Sequence, residues 1–215
     1  MPFESLLKKR ARMARIISLL KQEYPDSKCS LHYKSDFQLL VATILSAQCT
    51  DKRVNEVVKK LFVKYPGPEE FSKSSLETIK KEIYSTGFYN NKAKSIKSMA
   101  TIIVKEYSRV LPRTLNEMVK LPGVGRKTAN VVLGNVYGIP SIVVDTHVTR
   151  ISNMLHFVKT KNAVIIEKEL TKIIDTTDWT LFAHLLIDHG RAVCIANRPE
   201  CYNCVISEFC PSSRK

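Results

Sequence analysis

Glycine is scarce in this chain, with seven in 215 residues, and four of the seven fall between residues 121 and 138. Acidic residues are also few, 20 against 34 lysines and arginines. The resulting net charge of +14 and pI near 9.6 point to a polyanionic partner, nucleic acid or an anionic surface. Long hydrophobic runs are missing. None approaches the ~18 residues of a membrane span, and the opening MPFESLLKKR lacks the basic-then-apolar order of a secretory leader. These absences exclude a membrane-spanning helix and predict a soluble, cytoplasmic protein with no membrane partner, nucleoid-associated if its source is bacterial. Extended segments are nearly absent as well. Only SIVV at 141–144 looks like one, and it is too short to build a sheet. No internal repeat or low-complexity tract is present.

What the chain does have is helical periodicity. Residues 5–23 place Leu6, Leu7, Met13, Ile16, Ile17, Leu19 and Leu20 at helical spacing. Lys8, Lys9, Arg10, Arg12 and Arg15 fill a basic face that reads as solvated surface. Further helices are predicted at 36–46, 52–64, 75–85, 90–107, 114–120, 126–137, 146–156, 162–174 and 178–193. TLNE at 114–117 offers a Thr/Glu capping box, and YPGP at 65–68 and STG at 85–87 read as turns. The fold class is all-α.

The glycine-rich stretch LPGVGRKTANVVLGNVYG joins the helix at 114–120 to the helix at 126–137. Leu121 and Val124 would anchor its turn inward, while Gly123 and Gly125 let a phosphate approach bare backbone at a helix N-terminus. A structural helix–helix turn is the alternative, and the net charge weighs towards nucleic acid. With no strand on either side, a dinucleotide fold is disfavoured. Lys127 sits in the first turn of the second helix. The positive dipole end disfavours an ammonium there, and Arg126 adds a like charge beside it. A neutral lysine amine is a nucleophile that forms Schiff bases. From these local features alone, simple phosphate contact by Lys127 outweighs catalysis.

VVDTHV at 143–148 holds the second candidate. Asp145 is placed either as an N-cap or as a carboxylate able to take a proton and balance positive charge. His147 reads as a structural histidine, with ligand or proton shuttle as its alternative roles.

Cys29 and Cys49 stand apart, whereas Cys194, Cys201, Cys204 and Cys210 share one short segment with spacing Cys-x6-Cys-x2-Cys-x5-Cys. Four thiols so dense suit a metal site better than dispersed disulfides. With a single Cys-x2-Cys knuckle, the uneven spacing favours an iron–sulfur cluster over zinc. Zinc remains the alternative.

Together, LPGVGRKTANVV, VDTHV and the four-cysteine ending resemble the endonuclease III family of helix-hairpin-helix DNA glycosylases, in order and in separation. LLVATILSAQCTD at 39–51 and STGFYNNKA at 85–93 extend the resemblance over nearly the whole chain. It implies two helical domains flanking a DNA-binding cleft. One would be a six-helix domain at 29–139; the other, 1–28 plus 140–215, would carry a [4Fe–4S] cluster on Cys194, Cys201, Cys204 and Cys210. The implied activity is excision of oxidised pyrimidines from double-stranded DNA, with cleavage at abasic sites, by a monomer. Lys127 would form the Schiff base and Asp145 would assist it. Gln48 and Phe88 match positions that fill the gap in the duplex, Phe88 standing where leucine is more usual. Gly123, Gly125, Arg126 and Arg191 would meet the DNA backbone, with Arg198 beside them. An adenine glycosylase of the same superfamily normally lacks this lysine, and a non-catalytic DNA-binding module would need neither Lys127 nor Asp145.

Overall fold

Nine consecutive buried residues, Phe37–Leu45, make a helix that can exist only at the centre of a helical bundle. The computed structural model describes residues 4–214, and these contain eleven α-helices and no strand. Contacts divide the chain into two units, Ser30–Ile139 and Met1–Cys29 with Pro140–Lys215.

In the unit Ser30–Ile139, the central helix is α2 (Asp36–Leu45), following α1 (Leu6–Glu23) of the other unit. Ser35 caps α2, its hydroxyl accepting from the Gln38 N–H, and Thr43 returns its hydroxyl to the Leu39 carbonyl. Such internal satisfaction lets polar residues share the apolar interior. Around α2 pack α3 (Asp51–Lys64), α6 (Tyr89–Glu106) and α8 (Arg126–Tyr137). The helices α4 (Pro68–Lys73) and α5 (Leu76–Ile83) lie on α6, and the short α7 (Leu115–Met118) precedes α8.

The helix α4 is a correction to the sequence reading, in which YPGP marked only a turn. Pro68 occupies the first helical position, where its missing N–H costs nothing. The Glu70 carboxylate accepts from the Gly67 N–H at 3.1 Å, fixing the start. This one-and-a-half-turn helix carries Phe71, fully buried and stacked on Tyr65 at 4.7 Å between ring centroids. The box expected at TLNE forms only by half. Thr114 accepts from the Glu117 N–H at 3.3 Å, but the Glu117 carboxylate turns away to Lys120 and Tyr107.

In the second unit, α1 packs on α11 (Trp179–Ala192), and α11 on α9 (Thr146–Met154), which also meets α10 (Ala163–Leu170). Met13, Ile16 and Leu20 supply the buried stripe of α1; Leu6 and Leu7, assigned to that stripe from spacing, are exposed. Arg12 leaves the solvated face expected of it. Its guanidinium donates to the carbonyls of Leu155 at 2.9 Å and Phe209 at 3.0 Å, and lies 4.0 Å over the Phe157 ring. It thereby ties the C-terminal segment to α1. The stretch 141–144 forms no strand and has no regular secondary structure, while Ile142 and Val143 are buried.

Candidate functional site

The turn between α7 and α8 is built on two glycines with different reasons to be there. Leu121 and Val124 are buried, and the Val124 N–H donates to the Leu121 carbonyl at 3.1 Å. Between them Gly123 has φ +78°, and a Cβ there would stand 2.6 Å from the Ser95 Cβ. Both the backbone and the neighbour therefore demand glycine. Gly125 has φ −90° and ψ 174°, extended backbone open to any residue, and nothing lies within 4 Å of a Cβ built on it. The protein itself does not require its bareness.

Gly125 is the N-cap of α8, with no side-chain cap and no acidic residue in the first turn. By contrast, Ser35, Thr50 and Asp145 cap α2, α3 and α9 with side-chain oxygens. The cap position of α8 thus supplies no side-chain oxygen to the leading amides, and the helix dipole favours an anionic acceptor there. Arg126 and Lys127 are exposed in that same first turn.

Gln48 at φ 53° and Phe88 at φ 48° adopt left-handed backbone without being glycine, as Ser108 and Arg109 of this unit also do. Each such conformation costs about 1–3 kcal/mol and concentrates at functional sites. Gln48 and Phe88 are both exposed, Phe88 to 62%, although apolar burial would favour hiding its ring. Gln48, Phe88, Asn91, Lys92, Gly123 and Thr128 line one cavity. Sequence reasoning missed Lys92. It is 5% exposed, and its Nζ donates to the Leu45 carbonyl at 2.8 Å and the Thr86 carbonyl at 2.9 Å. Burial pushes its ammonium below the usual lysine range. The signal was present in the sequence, because Lys92 continues the buried register Ile96, Met99 and Ile103 of α6.

In the other unit, Asp145 is the N-cap of α9. Its Oδ1 accepts from the Val148 N–H at 2.8 Å, and the residue is half-buried. His147, the second residue of α9, is accommodated by Gly190 on α11, where a Cβ would collide with its ring. Arg191 is exposed in the last turn of α11 rather than in the loop beyond it, and Arg198 is exposed within that loop.

Cys194, Cys201, Cys204 and Cys210 are all half-buried and line one cavity with Ile151 and Ile206. Among the described residues, no three or more His, Cys, Asp or Glu side chains are placed to hold a single metal ion. Four soft donors spread around an apolar-walled cavity fit a multi-iron body better than one zinc. Burial pushes the Cys204 and Cys210 thiols up, so thiolates there call for compensating positive charge, which bound metal provides. Arg150 Nη1 lies 3.4 Å from the Cys194 sulfur. His189 Nε2 lies 3.6 Å from the Cys204 sulfur, with Nδ1 3.2 Å from the Tyr24 hydroxyl. Burial lowers His189 to about 4, keeping the imidazole neutral at pH 7.

Known proteins resemble this chain in sequence and fold. The HhH-GPD superfamily model, described as base excision DNA repair protein, matches residues 41–176. Endonuclease III of Synechocystis sp. is 46% identical over 98% of each chain. A non-covalent endonuclease III–DNA complex has 39% identity and a TM-score of 0.90, covering 95% of this chain and 96% of that one. A trapped endonuclease III–DNA covalent intermediate, an estranged-adenine complex, has 40% identity, the same TM-score and the same coverage.

Proposed function

The chain belongs to the endonuclease III family of the HhH-GPD base excision repair superfamily, and from that premise we propose that it removes oxidised pyrimidines from duplex DNA and cleaves the resulting abasic site. The observation that carries this reading is Lys127, an exposed primary amine in the first turn of a helix that begins on bare glycine backbone. The amides there hold a phosphate and the amine stands beside it.

A damaged pyrimidine stacks and pairs poorly, so its extrusion costs less than that of an intact base. Gln48 and Phe88, held outward on strained backbone, fill the space it leaves. The lone pair of Lys127 Nζ attacks the sugar C1′, and the glycosidic bond breaks with its electron pair leaving on the base. The sugar ring opens to a Schiff base. Loss of a C2′ proton then breaks the C3′–O bond, cutting the strand on the 3′ side. The role given to Asp145 is to accept the amine proton and offset the charge building on the sugar. Borohydride should reduce the Schiff base and leave a covalent adduct with duplex DNA containing an abasic site or an oxidised pyrimidine. Absence of an adduct on both substrates would overturn the lyase reading.

Cys194, Cys201, Cys204 and Cys210 are proposed to hold a [4Fe–4S] cluster, whose contribution is to fold the loop that carries Arg198. The purified protein should be brown and contain about four iron and four acid-labile sulfide per chain. Stoichiometric zinc without visible absorption refutes this.

Binding should weaken steeply with salt as lysines and arginines displace counterions from phosphates. Gly125→Val tests the hairpin cleanly, because the protein leaves room for the new side chain. Folding should be unchanged while affinity for lesion duplex falls, the isopropyl group standing where phosphate meets backbone. Unchanged affinity in a normally folded variant would make the turn purely structural.

A further inference from the structure

The cavity beside the hairpin is bordered by two loops far apart in sequence. One follows α2 and carries Gln48; the other is the 3-10 turn Tyr84–Thr86 leading through Gly87 to Phe88. Neither loop has an apolar anchor at its tip, since Gln48 and Phe88 both point into solvent. The buried ammonium of Lys92 donates to the last carbonyl of α2, at Leu45, and to the Thr86 carbonyl. The Lys92 backbone N–H also donates to the Phe88 carbonyl at 3.1 Å, so this residue holds the Phe88 turn from both sides.

An apolar residue at position 92 would complete the α6 stripe without burying a cation. What a lysine adds is several donors on one atom, enough to satisfy carbonyls from two elements at once. The helix-end carbonyl at Leu45 is also where a cation is favoured.

We propose that Lys92 is a positioning residue that couples the Gln48 and Phe88 loops, so that the two side chains enter the duplex as one unit when a base is extruded. The proposal rests on the glycosylase reading above. Lys92 touches neither DNA nor the reacting atoms. It sets the spacing and backbone conformation of the residues that do.

The test uses a duplex carrying 2-aminopurine opposite a tetrahydrofuran abasic analogue. Saturating unsubstituted protein should brighten the 2-aminopurine as it leaves the stack. Lys92→Met should still reach saturation but lose most of that brightening, and its single-turnover excision of an oxidised pyrimidine should fall about 10- to 100-fold. Adding Gln48→Ala to Lys92→Met should change the brightening little beyond either single substitution, as expected for residues acting together. Full brightening by Lys92→Met at saturation, or additive losses in the double variant, overturns the proposal. If Lys92→Met does not fold, Lys92→Leu, which also removes the donors, runs the same test. Failure of both to fold makes Lys92 a core tie and also overturns it. Binding by unsubstituted protein with no brightening defeats the glycosylase reading itself, and the Lys92 proposal with it.

Discussion

Lys127→Met should bind lesion-containing duplex and yield no borohydride-stable adduct. The substitution keeps an unbranched chain of similar length and removes the primary amine, without which no Schiff base forms. Lys127 is exposed, so its truncation leaves no cavity and no buried partner, and stability should move by no more than about 0.5 kcal/mol. Strand cleavage at an abasic site should fall to background, because β-elimination draws on the electron sink of the protonated imine. The competing role of Lys127 is phosphate contact. That role predicts a different outcome: a salt slope reduced by about one ion, with adduct formation retained. Trapping on duplex, a salt titration and a melting curve on one preparation therefore separate the two. Undiminished trapping removes Lys127 from the mechanism.

The hairpin was legible in the sequence because its signal is local: apolar Leu121 and Val124 alternate with two glycines immediately before a helical pattern. The distinction between those glycines was not. Gly123 is dictated by its positive φ and by Ser95 on α6, whereas Gly125 is dictated by neither. Both are the same letter, and only the fold, through a positive φ and a neighbour 28 residues away, tells them apart. The helix periods were legible wherever an apolar stripe ran for several turns. They failed at α4, where a proline and a glycine that usually mark a turn instead start a helix, held by one carboxylate and one buried phenylalanine. The four cysteines stand close in sequence and line one cavity, as their spacing suggested. Arg150 and His189, which lie beside their sulfurs, and Tyr24, which meets His189, come from three helices or helix ends and leave no joint pattern in the sequence. Lys92 lay in view at a core register position, but a lone lysine on a helix is ordinarily surface, and its carbonyl partners are 6 and 47 residues away.

Asp145→Asn should leave folding intact and reduce base excision by at least about 100-fold, the lower end of what a positioned acid–base group contributes. The capping role is directly visible, with Oδ1 accepting the Val148 N–H at 2.8 Å. Asparagine offers the same oxygen at the same place and is an equally good N-cap, so α9 keeps its start. Serine is a second residue that caps without charge, and Asp145→Ser should behave as the asparagine variant does. What both substitutions remove is a negative charge and a proton acceptor. If the carboxylate balances positive charge on the sugar and takes the Lys127 proton, both variants lose excision together. Affinity for lesion duplex should survive, or rise, because one negative charge that would repel phosphates is gone. The measurement is single-turnover excision of an oxidised pyrimidine with binding and melting temperature recorded alongside. A carboxylate that only caps predicts near-normal excision in both variants, whereas removal of the cap by Asp145→Ala would cost about 1 kcal/mol of stability. Comparing the two capping residues with alanine therefore assigns any loss of excision to charge and any loss of melting temperature to the cap.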